Sequence, residues 1–226
     1  MTELRSCPNG LCVLSGGVGG AKLVLGLSQV LNNDDFMTIV NTGDDFVHLG
    51  LKICPDIDTI IYTLAELVDQ ERGWGLKDES WNFLEKTKLL GGESWFNLGD
   101  KDLATHVHRT QRLAKGEDLT SITKNLAFSF GVEAKIVPMT NDLVSTVVET
   151  REGDLAFQHY FVRDRCLPIV KRFRFEGIKS SVINPSIKEY GEENNKSAVL
   201  LAPSNPFVSI DPIIGVPGMT EELVCL

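Results

Sequence analysis

The sequence predicts an α/β fold built on a mostly parallel, Rossmann-like sheet. The apolar run Leu11–Leu14 leads into a glycine-rich turn and then into an amphipathic stretch, Ala21–Leu31, which is the order strand, turn, helix. The run Ala198–Ala202 is apolar throughout, as is typical of a parallel strand covered on both faces. Candidate strands and helices alternate between these segments. We therefore predict a single domain over residues 8–226.

The remaining elements follow from hydrophobic periodicity. The predicted strands are Leu11–Leu14, Met37–Asn41, Ala134–Met139, Val144–Glu149, Leu155–Val162, Lys171–Phe175 and Ala198–Ala202. The predicted helices are Ala21–Leu31, Asp56–Asp69, Ser80–Leu90, Asp102–Ala114 and Leu119–Phe130. Because helices crowd into residues 60–130, we expect that segment to form a helical cap over the ligand edge of the sheet.

The composition is that of a globular protein without a membrane span. Hydrophobic residues make up 42% of the 226 residues and charged residues 23%. No apolar run approaches the roughly 20 residues that cross a bilayer. The N-terminus lacks the basic and apolar regions of a signal peptide, so we expect a cytoplasmic protein. Five scattered cysteines without a C-x-x-C pair predict neither a disulfide framework nor a structural zinc site.

The net charge of −9 argues against a nucleic-acid partner, because nucleic-acid binding needs basic surface. It also bears on phosphate ligands. A protein this acidic needs local positive charge to hold a polyanion, and a divalent cation would supply it.

The most informative segment is Ser-Gly-Gly-Val-Gly-Gly-Ala-Lys-Leu at 15–23, which joins a strand to a helix. Glycines let the backbone approach a ligand closely, and the N–H groups at a helix start attract anions. The candidate phosphate-binding residues are Gly16, Gly17, Gly19, Gly20 and Lys22. A tight turn explains one glycine but not four in five residues. The segment also begins like a dinucleotide fingerprint, but Lys22 stands at the third glycine position, which weakens the NAD interpretation.

Paired carboxylates follow the second predicted strand, in Asn-Thr-Gly-Asp-Asp at 41–45. Carboxylate oxygens suit Mg²⁺, which shares its coordination with phosphate, so Asp44 and Asp45 are the candidate metal ligands. Two alternatives remain open. The segment could be an Asx turn with a helix cap, or one of its acids could hold a ribose in an NAD site.

Two further polar clusters lie at predicted helix starts. In Cys-Pro-Asp-Ile-Asp-Thr at 54–59, Asp56 suits a helix cap and Asp58 is expected to point toward the pocket. In the second cluster, Asp102, His106 and Arg109 follow one another at helical spacing. One helix face could therefore present charge to a ligand; a solvated helix face is the alternative.

Ala-Pro-Ser-Asn-Pro at 202–206 directly follows the last predicted strand. The two prolines fix the loop, while Ser204 and Asn205 offer hydrogen bonds. By itself this is a rigid turn. Its position after an apolar strand makes it a second candidate loop for the phosphates.

Seven segments together resemble the 2-phospho-L-lactate transferase family of coenzyme F420 biosynthesis. The segments are Ser-Gly-Gly-Val-Gly-Gly-Ala-Lys-Leu at 15–23, Asn-Thr-Gly-Asp-Asp at 41–45, Cys-Pro-Asp-Ile-Asp-Thr at 54–59, Glu-Arg-Gly-Trp-Gly at 71–75, Leu-Gly-Asp-Lys-Asp-Leu-Ala-Thr-His at 98–106, Pro-Met-Thr-Asn-Asp at 138–142 and Ala-Pro-Ser-Asn-Pro at 202–206. They occur in the family's order. Glu-Arg-Gly-Trp-Gly at 71–75 and the further segment Asp-Glu-Ser-Trp at 78–81 resemble the bacterial branch rather than the archaeal one.

The resemblance implies a Mg²⁺-dependent transferase. Its donor would be a guanosine diphosphate conjugate of lactate, or of enolpyruvate in bacteria, and its acceptor the primary hydroxyl of the deazaflavin Fo. The products would be F420-0 or dehydro-F420-0 and GMP. The family positions that contact Fo correspond to Asp58 and Asn97; the second is basic in archaeal members, so Asn97 is a departure.

We expect Fo to lie between the helical segment and the sheet, against Asp58 and the turn Asn97–Lys101. Asp58 is the candidate catalytic residue, either orienting the Fo hydroxyl or taking its proton. A tryptophan among Trp74, Trp81 and Trp95 could stack on the deazaflavin, although a core position is the commoner one.

The resemblance also implies that family chains continue well beyond Pro-Gly-Met at 217–219. We therefore expect the C-terminal part of the family fold to be missing, with lowered stability and activity, and a homodimer only at full length. The alternative function is that of a sister family, a non-enzymatic nucleotide-sugar-binding regulator. The sequence does not choose between the lactyl and the enolpyruvyl donor.

Overall fold

The computed structural model describes residues 10–194 and 198–225. Residues 8, 9, 195–197 and 226 of the predicted domain lie outside these ranges. The helices are α1 Gly17–Ser28, α2 Pro55–Leu64, α3 Asn82–Leu89, α4 Asp100–Ala114, α5 Leu119–Ser129, α6 Pro185–Glu193, α7 Asp211–Ile214 and α8 Met219–Cys225. The strands are β1 Leu11–Ser15, β2 Phe36–Val40, β3 Phe46–His48, β4 Leu51–Ile53, β5 Lys135–Pro138, β6 Ser145–Thr150, β7 Asp154–Ala156, β8 Val170–Glu176 and β9 Ala198–Leu201.

A four-stranded parallel sheet of order β5-β2-β1-β9 forms the centre of the fold. Its two faces carry separate hydrophobic clusters, because successive side chains of a strand point to opposite sides. Val13 faces a cluster that includes residues of α1, α2 and α5. Leu14 faces a cluster that includes residues of α6, α7 and α8. The predicted α/β class with a parallel central sheet is confirmed.

The segment predicted as a helical cap divides into helices that pack on the sheet and a helix that lies against the hairpin β3–β4. Helix α5 packs on the sheet through Ile122 and Leu126, and α2 packs beside it through Ile57 and Ile60. Helix α4 lies against the hairpin β3–β4 and against α5. None of the described helices has the length and apolar character that a membrane span requires.

The prediction for Leu155–Val162 is only half right. Strand β7 ends at Ala156 and pairs with β6 in a three-stranded antiparallel sheet of order β7-β6-β8. The chain then turns into a short π-helix, His159–Arg163. Apolar Phe157 and Phe161 are thus not on one strand; their rings stack at 5.5 Å.

Strand β9 pairs with β1 in parallel, as predicted, but it is not covered on both faces. It forms one edge of the sheet, where Val199 is 39% and Leu201 59% exposed. An apolar run alone could not distinguish a central strand from this edge position.

Candidate active site

The carboxyl ends of the parallel strands meet at one edge of the sheet, where a cavity of about 810 Å³ opens. The residues that line it include the glycine loop after β1, Asp44 after β2, Asp58 on α2, Asn97 and Ser204–Asn205 after β9. The predicted loops are therefore brought together, although they are far apart in sequence.

The glycine loop is fixed from two sides. Gly17, whose φ of 69° is left-handed, donates its N–H to Asp56 Oδ1 at 2.7 Å. Gly16 donates its N–H to Ser204 Oγ at 3.1 Å. These two bonds use the N–H groups of Gly16 and Gly17, whereas the N–H groups of Val18 and Gly19 have no acceptor within the helix, and both residues line the cavity. Such an arrangement suits a phosphate group.

Close approach of the Ser204 loop accounts for two of the glycines. A Cβ on Gly19 would lie 2.3 Å from the Pro203 carbonyl oxygen. A Cβ on Gly20 would lie 2.7 Å from Ser204 Oγ and 2.3 Å from Ser15 Oγ. The glycines thus let two ligand loops pack against each other.

We expect Gly19→Ala to destabilise the protein by about 1–3 kcal/mol, because the Pro203 backbone must move to admit the methyl group. Gly26→Ala is the matched control. It lies on the same helix with open space around the added carbon, and should stabilise by about 0.5–1 kcal/mol. Thermal unfolding of both variants checks the difference; equal melting temperatures would contradict it.

Two buried carboxylates face the cavity beside the glycine loop. Burial raises the pKa of Asp44 well above its ordinary value, and the neighbouring charges of Asp56 and Asp45 raise it further. Burial also raises the pKa of Asp56, to about 6, against hydrogen bonds from Asn41 and Gly17. Asp44 Oδ1 is buried without a hydrogen-bond partner in the described structure. The surroundings of this corner therefore disfavour the negative charge of both carboxylates.

Asp45 lies next to Asp44 but faces elsewhere. Its Oδ2 is 3.2 Å from Lys52 Nζ and accepts a hydrogen bond from Cys54 Sγ at 3.0 Å. Asp45 lines a separate pocket of about 230 Å³. The two carboxylates of the predicted metal pair thus occupy different surroundings, and only Asp44 lines the main cavity.

Asp58 lines the cavity, as predicted, and it is held there by Arg109. Arg109 is fully buried, donates to Asp58 Oδ2 from Nη1 at 3.1 Å and contacts Asp58 Oδ1 through Nη2. Burial raises the pKa of the Asp58 carboxyl, although the charge of Arg109 opposes that shift. The bidentate pair fixes the orientation of the carboxylate.

The face of α4 that carries Asp102, His106 and Arg109 is buried rather than solvated. His106 Nδ1 lies 3.2 Å from Arg109 Nη1, and His106 Nε2 lies 3.2 Å from Asp102 Oδ2. Since a guanidinium only donates, Nδ1 is the acceptor in its contact with Arg109. Tyr62 donates its hydroxyl to Asp102 Oδ1 at 2.7 Å.

This network also offers a possible metal cluster. One ligand atom each from Asp58, Asp102 and His106 lies within 4.8 Å of the others. Arg109, however, already contacts both Asp58 and His106 there. A guanidinium therefore supplies the positive charge of the cluster, and a second cation beside it would be repelled.

The other predicted residues are placed as follows. Lys22 and Lys101 are exposed, and neither lines the cavity; Lys101 Nζ donates to the Lys77 carbonyl at 3.1 Å. Asn97 is exposed and lines the cavity. Among the tryptophans, Trp74 lines the cavity, whereas Trp95 belongs to a ring cluster.

Sequence reasoning missed one wall of the cavity. Phe157, Tyr160 and Phe161, from the segment after β7, line it with apolar and aromatic surface. Their signal was hidden because the segment read as a continuous strand. The sequence also predicted Asp56 only as a helix cap. In the structure, the Asp56 carboxylate accepts a hydrogen bond from the N–H of Gly17, which lies on another helix.

Known proteins are similar to this chain, some in sequence and others in fold. The model of the family described as 2-phospho-L-lactate transferase CofD matches residues 11–225. A 2-phospho-L-lactate transferase of Methanosarcina mazei is 38% identical over 94% of this chain and 70% of its own length. A phosphoenolpyruvate transferase of Streptomyces coelicolor is 39% identical over 94% of this chain and 68% of its own.

A solved structure supports the fold alone. A UPF0052-family protein of Bacillus halodurans superposes with a TM-score of 0.62 at 15% identity. The match covers 96% of this chain but 66% of that one, so the chain spans about two thirds of that relative's length. The family match over nearly the whole chain, with relatives of 38–39% identity, shows that the chain belongs to the 2-phospho-L-lactate transferase family.

Proposed function

We propose that this chain transfers a 2-phospho-L-lactyl or phosphoenolpyruvyl group from its guanosine diphosphate conjugate to the deazaflavin Fo. The products are F420-0 or dehydro-F420-0 and GMP. One observation carries the proposal. The glycine loop, the Asp44–Asp56 corner and Asp58 all line one cavity, so a nucleotide and an acceptor can meet there. Relatives named as transferases of these two groups support the same reaction class.

The diphosphate of the donor binds at the first turn of α1. Within the loop Gly16–Gly20, Val18 and Gly19 supply the N–H donors at the helix N-terminus, and Ser204 and Asn205 also line this part of the cavity. Lys22 lies outside the cavity lining, which does not favour its predicted role in phosphate binding. Binding of the phosphates therefore depends on backbone N–H groups and on a cation.

Mg²⁺ fits the corner beside this turn. Asp44 has a buried oxygen without a hydrogen-bond partner and lines the cavity, with Asp56 next to it. Bound there, the ion would neutralise the diphosphate and polarise the phosphorus under attack. Asp45 has one partnerless oxygen too, but its other oxygen pairs with Lys52. We therefore propose Asp44 as the Mg²⁺ ligand, and the role of Asp45 as a second ligand stays a prediction.

Fo lies against α2 and against Asn97, the residue of the turn Asn97–Lys101 that lines the cavity, with the aromatic wall of Phe157 and Phe161 close to its planar ring. Asp58 accepts a hydrogen bond from the Fo hydroxyl. This bond orients the hydroxyl so that a lone pair of the hydroxyl oxygen points at the phosphorus. Both Asp58 oxygens already accept from Arg109, which favours orientation over proton removal.

The reaction itself needs little covalent chemistry from the protein. The Fo hydroxyl oxygen forms a bond to the substituted phosphorus and loses its proton to solvent water, while the bond from that phosphorus to the GMP oxygen breaks and GMP leaves with the electron pair. Most of the acceleration then comes from aligning the two oxygens and from stabilising charge on the phosphate oxygens.

A transfer assay tests the proposal. Purified protein is incubated with Fo, Mg²⁺ and each of the two donors, and products are identified by mass spectrometry. We expect one equivalent of GMP per equivalent of F420-0 or dehydro-F420-0. Tight nucleotide binding without GMP release from either donor would instead support the regulator of the sister family.

A further inference from the structure

The cavity is lined by four aspartates, yet its proposed ligands are anions. Asp44, Asp56, Asp58 and Asp102 are its acidic residues. Among the residues that the structure describes, Arg72 is the only lysine or arginine in its lining. Arg72 belongs to the segment Glu-Arg-Gly-Trp-Gly at 71–75, to which the reaction described above assigns no role.

A closed loop holds Arg72 at the mouth of the cavity. Asp69 Oδ1 accepts the N–H groups of Glu71 and Arg72, each at 3.0 Å. The loop closes where Asp69 donates its N–H to the Gly75 carbonyl at 3.0 Å. Gly73, with φ of 77°, permits the turn that follows Arg72. The backbone position of Arg72 is therefore set by the loop and does not depend on the arginine side chain.

The guanidinium of Arg72 lies over the Trp81 ring, with Cζ 4.7 Å from the ring centroid. It makes no hydrogen bond to any residue that the structure describes. Its carboxylate neighbour, Asp69 Oδ2, is 3.6 Å from Nε, which is too long for a hydrogen bond. A cation–π contact does not use the N–H groups as hydrogen-bond donors, so they remain able to bind a planar anion by two parallel hydrogen bonds.

We propose that Arg72 binds the carboxylate of the three-carbon acid on the donor. This inference rests on the function proposed above. The donor carries two kinds of negative charge, a diphosphate and a carboxylate. The diphosphate is accounted for by the helix N-terminus and a cation, whereas the carboxylate requires a separate basic group in the cavity, and Arg72 is the one available in the described lining.

The test compares two ligands, one with the three-carbon acid attached to the diphosphate and one without it. Calorimetry in Mg²⁺ measures the affinity of the enolpyruvyl guanosine diphosphate conjugate and that of GDP, for wild type, Arg72→Gln and Arg72→Lys. We expect Arg72→Gln to weaken conjugate binding about 10–100-fold, as for loss of a charged hydrogen bond, and to leave GDP within about twofold. Arg72→Lys should be intermediate, because it keeps the charge but not the paired donors.

Arg163→Gln is the matched control, because Arg163 is as exposed as Arg72, has an acidic neighbour and lies outside the cavity lining. It should leave both affinities unchanged. Equal weakening of GDP and conjugate by Arg72→Gln would overturn the inference, as would no change in either. Failure of the wild type to bind the conjugate would overturn the proposed function as well.

Discussion

Arg109→Met is expected to lower the free energy of unfolding by about 3–5 kcal/mol, as when one partner of a buried ion pair is removed. The substitution leaves the Asp58 carboxylate buried without its guanidinium, and it also removes the contact to His106 Nδ1. Urea unfolding followed by circular dichroism measures the loss.

Arg112→Met is the control on the same helix. Arg112 pairs with Glu117 through its guanidinium near the surface, so its replacement should change the unfolding midpoint little. A double variant with Asp58→Leu and Arg109→Met should recover part of the lost stability, because no unpaired charge remains. If Arg109→Met and Arg112→Met were equally stable, the buried pair would not be the support we describe.

Asp44→Asn is expected to remove the Mg²⁺-dependent part of nucleotide binding. In Mg²⁺ the variant should bind GDP at least about tenfold more weakly than wild type, since an amide is a poor ligand for a hard cation. In EDTA the two proteins should bind GDP alike. Calorimetry under both conditions measures the contrast.

Asp45→Asn is the informative companion. Asp45 faces Lys52 and the smaller pocket, so we expect its replacement to affect GDP binding in Mg²⁺ less than Asp44→Asn does. A larger loss in Asp45→Asn would restore it as the principal ligand. Equal GDP affinity of wild type and Asp44→Asn in Mg²⁺ would contradict the assignment of Asp44.

Local sequence patterns predicted the parts of the site that follow directly from parallel strands. The strand–glycine–helix order predicted the place of the glycine loop at the cavity, and the acids after β2 predicted that Asp44 lies at the sheet edge. The position of Asp58 at the cavity also followed from its place near the start of α2. Each of these depends on residues within a few positions of a strand end.

Long-range partners were not predictable in this way. Arg109 and Asp58 form an ion pair although they are 51 positions apart in the sequence. Several other charged residues could have been the partner of Asp58. Periodicity also could not show that residues 159–163 form a π-helix, because apolar residues there fit a strand equally well. The exposed edge position of β9 depends on the order of strands, which an apolar run does not encode.

The central claim is that donor and acceptor meet in the cavity at the sheet edge. A crystal structure of the protein with GDP, Mg²⁺ and Fo tests it most directly. We predict the phosphates at the N-terminus of α1 and the Fo hydroxyl within hydrogen-bond distance of Asp58. Nucleotide phosphates bound away from the loop Gly16–Gly20, or Fo bound outside the cavity that Asp58 lines, would contradict the account.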